Sequence, residues 1–133
     1  MLLFCYGTLE YVPVMRAATG REFSGEPAAL DGFARYRVRA ADYPGVVPEP
    51  GARTEGILFA GLDDAAIAAL DRFEGPLYER RTLEVRLHDG RSAAAQVYVI
   101  REALRDTLSS EAWDKAGFAR DRLDTLVRRL AVH

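Results

Sequence analysis

The sequence predicts an α+β domain with a mostly antiparallel, strongly curved sheet or small β-barrel and flanking helices. Three observations carry this. Strand-like runs outnumber helical ones. The helical runs fall between and after groups of strands without regular alternation, which argues against a parallel sheet built of βαβ units. Asp89-Gly90, between alternating segments, is the strongest short hairpin signal in the chain. With 133 residues, 49% of them hydrophobic, the chain suits one domain over 1–133 with a sizeable core.

Each element has its own signature. Phe4-Cys5-Tyr6-Gly7-Thr8-Leu9 is an apolar run of buried-strand length that ends in an aromatic-glycine-hydroxyl turn. Residues 11–20 read as a short helix, with Pro13 near its first turn, Gly20 past its end, and Val12, Met15 and Ala18 toward the core. Residues 22–30 fit no single pattern. From Phe33 to Ala40, Tyr36, Val38 and Ala40 alternate with Arg35, Arg37 and Arg39, so a half-buried strand is expected whose arginine row forms a solvated outer face. Tyr43-Pro44-Gly45-Val46-Val47-Pro48 reads as a loop at a barrel rim and residues 49–54 as a further turn. Residues 55–60 form a strand carrying Gly56, as strands do where something packs close.

The period then changes. Asp63 or Asp64 caps a helix in which Ile67, Leu70 and Phe73 recur three apart, and Gly75-Pro76 stops it. Leu83, Val85 and Leu87 alternate with Glu84, Arg86 and His88, and the hairpin returns through residues 92–100, apolar on both faces and therefore central in the sheet. Residues 101–111 read as a polar connection. Trp113, Ala116, Ala119, Leu123, Leu126, Val127 and Leu130 then mark a C-terminal amphipathic helix.

Composition narrows the function classes. Eighteen basic and 20 acidic side chains, mixed along the chain, create no field for nucleic acid or an anionic membrane, and no stretch approaches membrane-spanning length. One cysteine forbids an intrachain disulfide and, with two histidines, makes a zinc site improbable. A cytoplasmic protein without metal or cofactor is expected, as monomer or homodimer.

Two stretches carry chemistry. Around Gly7 and Thr8 the turn can present consecutive amide N–H groups to an anion or oxyanion, although an edge strand with an ordinary Gly-Thr turn has the same residues. Glu74 is i+7 from Ile67, so its carboxylate falls within the apolar arc of its helix and beside the negative end of the helix dipole. Both effects oppose ionisation and suit the group to general base work. The alternative is a frayed helix end with Glu74 in water or paired to Arg72, Arg80 or Arg81. Asp71 lies at the edge of the same face as a surface residue or helper. Tyr78 reads as a core aromatic, and Cys5 either as a nucleophile or as a small buried thiol, with no sign that His88 or His133 pairs with it.

Taken together, Cys5-Tyr6-Gly7-Thr8-Leu9, residues 33–38, Tyr43 to Pro48, residues 55–58, and Leu70 to Arg80 resemble the γ-glutamylcyclotransferase-like superfamily. The avirulence-induced-gene-like branch is the nearest, and the likeness extends to Val97-Tyr98 and Trp113. The resemblance implies a small β-barrel with flanking helices and a cavity between the turn and Glu74. It also implies a reaction, the intramolecular aminolysis of a γ-glutamyl amine or amino acid to 5-oxoproline and a free amine. Glu74 is then the proton acceptor, and Cys5, Tyr6, Gly7, Thr8, Leu9 and Glu10, with Tyr78, form the substrate-binding set. The competing expectation is a non-catalytic module that binds a small molecule in the same cavity.

Overall fold

The structure, a computed structural model, describes residues 1–41, 43–121 and 123–131. Six strands run β1 (Leu3–Cys5), β2 (Gly25–Val38), β3 (Pro44–Phe59), β4 (Tyr78–Leu87), β5 (Ser92–Ile100) and β6 (Leu108–Ala112). Four helices accompany them: α1 (Val12–Thr19), α2 (Asp64–Glu74), α3 (Lys115–Asp121) and α4 (Leu123–Ala131). The strand order is β3-β1-β5-β4-β2, and pairing of β2 with β3 closes these five into a barrel, with β6 added alongside β2. All pairings are antiparallel except β1 with β5.

Period-two alternation divides the apolar side chains into two sets. Phe4, Leu30, Val46, Leu58, Val85 and Val97, drawn from all five barrel strands, belong to one buried cluster. Leu3, Cys5, Phe59, Tyr98 and Ile100 point the other way and join Met15, Ile67 and Leu70 from α1 and α2. The first set fills the barrel and the second seats the helices on it. β1 is therefore a strand with neighbours on both sides, and Gly56 lets β3 approach it: a Cβ there would stand 2.2 Å from the Cys5 carbonyl oxygen.

Several elements differ from expectation. The region read as a loop and a turn, residues 43–54, lies almost wholly within the single long strand β3. Its first half pairs with β2 alone, so Pro44, Pro48 and Pro50 sit where a missing N–H breaks no second ladder. A register shift between Asp31 and Phe33 and positive φ at Gly32 and Gly51 absorb the irregularity. β2 begins at Gly25, inside the ambiguous stretch, and ends at Val38, while Ala40 adopts a positive φ in the following turn.

In α1, Met15 is buried and Ala18 packs on the core as expected, but Val12 is exposed and Val14 takes its place in the buried face. Residues 101–111 contain a 3-10 helix (Glu102–Thr107) and most of β6, whose five residues are too few and too polar to show a period. The expected C-terminal helix is two helices, and Trp113 precedes them as a buried residue. Leu123, Leu126 and Val127 pack toward the core. The side chain of Leu130 and the whole of His133 lie outside the described residues.

The arginine row is not simply a solvated face. Arg35 donates to the Tyr6 carbonyl, Arg37 pairs with Glu111, and Arg39 donates to the Leu108 carbonyl. Arg35 is paired with Val46 and shares a face with Phe33, so the row lies on the side of the barrel-filling cluster, where the turn after β1 and strand β6 come up beside it.

Candidate active site

The turn after β1 forms one wall of the site. A Cβ on Gly7 would stand 2.8 Å from Pro44 Cγ, so the missing side chain is what lets the turn lie against the start of β3. The chain then tightens into a 3-10 turn, Thr8–Glu10, with Glu10 N–H donating to Gly7 O at 3.1 Å and Tyr11 N–H to Thr8 O at 3.2 Å. Among the described residues nothing accepts from the N–H groups of Gly7, Thr8 or Leu9. Free donors are normal at the start of a helical turn, and three in succession make a concavity that suits an anion.

Glu74 lines the same cavity from the end of α2. Asp63 caps α2 by accepting from Ala66 N–H at 2.9 Å, and Ile67 and Leu70 bury the face that fixes the helix's rotation. That rotation carries Glu74 inward, and Gly75, at φ 75°, ends the helix just beyond it. Glu74 and the turn line one cavity of about 630 Å³. Burial pushes the Glu74 carboxyl up from its usual 4.5 to about 7.

Three tyrosines frame the cavity. The Tyr6 hydroxyl donates to Tyr98 O at 2.5 Å, and the Tyr78 hydroxyl donates to Pro44 O at 2.6 Å. The Tyr98 hydroxyl donates to Asp71 Oδ1 at 2.7 Å, an oxygen that also accepts from Arg80 Nε at 3.0 Å. Burial pushes the Asp71 carboxyl up, but the bonds from Tyr98 and Arg80 outweigh it and hold the group below the usual carboxylate range. Burial is the first cause that keeps the hydroxyls of Tyr6, Tyr78 and Tyr98 protonated, followed by Glu74 for Tyr6, by Tyr6 and then Glu74 for Tyr78, and by Asp71 for Tyr98. The cavity thus holds one carboxylate that titrates near neutrality among hydroxyls that do not.

Of the residues expected at the site, Cys5, Tyr6, Gly7, Thr8, Leu9, Glu74 and Tyr78 line this cavity. Glu10 does not. Its side chain turns to a second cavity of about 370 Å³, where Oε1 meets Lys115 Nζ at 3.2 Å and Oε2 has no partner. The Cys5 thiol is pushed well above its usual value by burial, and further by Glu74 and Glu10, which suppresses the thiolate that a nucleophile needs. Asp71 is exposed and does not line the cavity, but it accepts from Tyr98, which does. Tyr43, Pro44 and Leu126 are among the other lining residues but were not expected there, nor was Tyr98 singled out in the residue-level reading. Tyr98 lies on an apolar face of a central strand, and nothing in that pattern separates a cavity tyrosine from a core one. Among the described residues no group of three His, Cys, Asp or Glu side chains is placed to hold a metal ion.

Residues 3–115 match the family described as "Gamma-glutamyl cyclotransferase, AIG2-like". An AIG2-like protein C of Arabidopsis thaliana is 34% identical over 87 residues, covering 65% of this chain and 51% of that protein. The chain therefore spans about half of that relative's length. A second Arabidopsis thaliana protein, solved in solution, superposes with a TM-score of 0.75 at 25% identity, over 98% of this chain and 79% of its own. A structure titled "Gamma-glutamyl cyclotransferase" superposes with a TM-score of 0.65 over 98% of this chain and 86% of its own. At 13% identity that likeness speaks for the fold alone.

Proposed function

We propose that this chain, which belongs to the AIG2-like γ-glutamyl cyclotransferase family, is an acyltransferase that cyclises a γ-glutamyl amine or amino acid to 5-oxoproline with release of the free amine. The observation that supports the reading is the shared cavity, which Glu74 lines together with residues 7–9, whose N–H groups have no acceptor among the described residues.

The chemistry follows from those groups. The substrate's α-ammonium must lose a proton before it can attack, and Glu74, titrating near 7, takes it. The freed amine forms a C–N bond to the γ-carbonyl carbon, and the carbonyl electrons move to oxygen. The amides of the turn stabilise that oxyanion, a role in which a single donor is worth about 10²–10³ in rate. The intermediate collapses with cleavage of the bond to the leaving nitrogen, which receives the proton held by Glu74; the ring nitrogen then gives its second proton to the freed Glu74 carboxylate, leaving the neutral lactam, and that proton passes to the released amine as its ammonium. Holding the γ-glutamyl chain folded over itself supplies the proximity that ring closure needs.

The test is release of 5-oxoproline from a panel of γ-glutamyl amines and γ-glutamyl amino acids, with Glu74→Gln alongside. Activity that rises with pH through about 7 and is lost in the variant is the expected result, because only ionised Glu74 accepts a proton. Binding without turnover would instead identify a ligand-sensing module, and equal activity of the two proteins would refute the assignment of the base.

A further inference from the structure

We infer that Arg35 is a positioning residue for the proposed oxyanion donor, holding and polarising the Tyr6-Gly7 peptide from behind the cavity; the inference rests on the cyclotransferase reading above. Arg35 Nη1 donates to the Tyr6 carbonyl oxygen at 2.6 Å, and the same nitrogen lies 3.4 Å from the Glu55 carbonyl oxygen. The guanidinium carbon lies 5.4 Å from the centre of the Trp113 ring. Arg35 lines the second cavity, beside Glu10 and Lys115, and is absent from the lining of the first.

That placement fixes the direction of the peptide. The Tyr6-Gly7 peptide bond is trans, and in a planar trans peptide C=O and N–H point opposite ways. With Tyr6 C=O drawn toward Arg35, on the side of the second cavity, Gly7 N–H is turned away from it, and Gly7 itself lines the first cavity. A hydrogen bond from a cation to the carbonyl also draws electron density through the amide and makes its N–H a stronger donor. Arg35 therefore acts on the reacting oxygen through one peptide group while touching neither substrate nor Glu74.

The packing behind Arg35 explains why the guanidinium stays in place. Trp113 meets Phe118 edge-on at 5.6 Å, and Phe118 packs against Tyr11 at 5.7 Å, directly after the turn. A segment from the far end of the chain thus braces both Arg35 and the exit of the turn. A lysine at position 35 keeps a charge but loses the planar guanidinium that lies over an indole.

The test compares wild type, Arg35→Lys and Arg35→Met, each checked for folding by its thermal midpoint. kcat for 5-oxoproline release should fall about tenfold or more in Arg35→Met, with KM changed less than about threefold and partial recovery in Arg35→Lys. The rise of kcat with pH should stay where it is in wild type, since Arg35 is not among the groups that displace the Glu74 carboxyl. A second readout is independent of turnover: in an amide proton–nitrogen spectrum, the Gly7 resonance should shift markedly in Arg35→Met. Wild-type kcat in Arg35→Met, or an unmoved Gly7 resonance, would overturn the inference. A loss of kcat that merely follows a lowered thermal midpoint, with no recovery by lysine, would also overturn it, assigning Arg35 to the scaffold. A wild type that turns over no γ-glutamyl compound would sink the cyclotransferase reading instead, and the Gly7 resonance would still report on the peptide.

Discussion

Glu74→Gln should change stability in a way that depends on pH, and this separates a buried, catalytically tuned carboxyl from a solvated one. Moving the group from its usual 4.5 to about 7 means that ionising it inside the fold costs about 3 kcal/mol, at about 1.4 kcal/mol per tenfold change in proton affinity. Glu74 is partly open to the cavity, so that figure is a ceiling and about 2 kcal/mol is the working expectation. Below pH 4.5 the carboxyl is protonated in both folded and unfolded chains and the variant gains nothing. Between 4.5 and 7 the unfolded chain ionises while the folded one stays neutral, so wild-type stability falls as pH rises. Above 7 both forms are ionised and the deficit levels off. Glutamine never ionises, so the difference, variant minus wild type, should grow by about 2 kcal/mol from pH 4 to pH 8. Urea unfolding followed by the fluorescence of Trp113, the single tryptophan, measures it at several pH values. A pH-independent offset beneath that rise would reflect the changed hydrogen bonding of the amide. A difference that is flat across the window would show a carboxyl already compensated by solvent or a partner, and the case for Glu74 as a neutral-pH base would fail with it.

Two further substitutions probe the frame. Gly7→Ala forces its Cβ to within 2.8 Å of Pro44 Cγ, so the turn must move by several tenths of an ångström. It should cost about 1–2 kcal/mol in urea unfolding and a disproportionate tenfold or greater loss of 5-oxoproline release, and an activity loss no larger than the stability loss would argue against the turn as donor. Tyr98→Phe removes the 2.7 Å bond to Asp71 and should lower stability by about 1 kcal/mol. Asp71 should then titrate higher, having lost one of the two bonds that hold it down, and carbon-detected titration of its carboxyl would check this.

Glu74 was legible because a helix has a rigid period: once Ile67 and Leu70 define the buried face, the position seven residues on from Ile67 has nowhere else to point. The turn gave no such security. From Thr8 to Glu10 the chain forms a 3-10 turn, about 120° per residue, so neighbours in sequence face three different ways. Glu10 follows directly on residues that line the cavity, yet it faces Lys115 on the other side. The arginine row failed differently. Alternation correctly separates Arg35 from Tyr36 and Val38, but the face it shares with Phe33 and Val46 is not in water: the Tyr6 carbonyl of the turn after β1 lies against it.

Proline misled in the same way in β3. A missing donor forbids a strand only where two neighbours demand that donor, and the first half of β3 has one. Each failure came from the same kind of residue, one whose environment is set by a segment distant in sequence. In β2 and the turn, that distance is what assembles the site. Arg35 is 29 residues from the carbonyl it holds, and no local period encodes that contact. Its functional content becomes visible only when the direction of one peptide bond is followed from the guanidinium, through the Tyr6 carbonyl, to the Gly7 N–H on the cavity side.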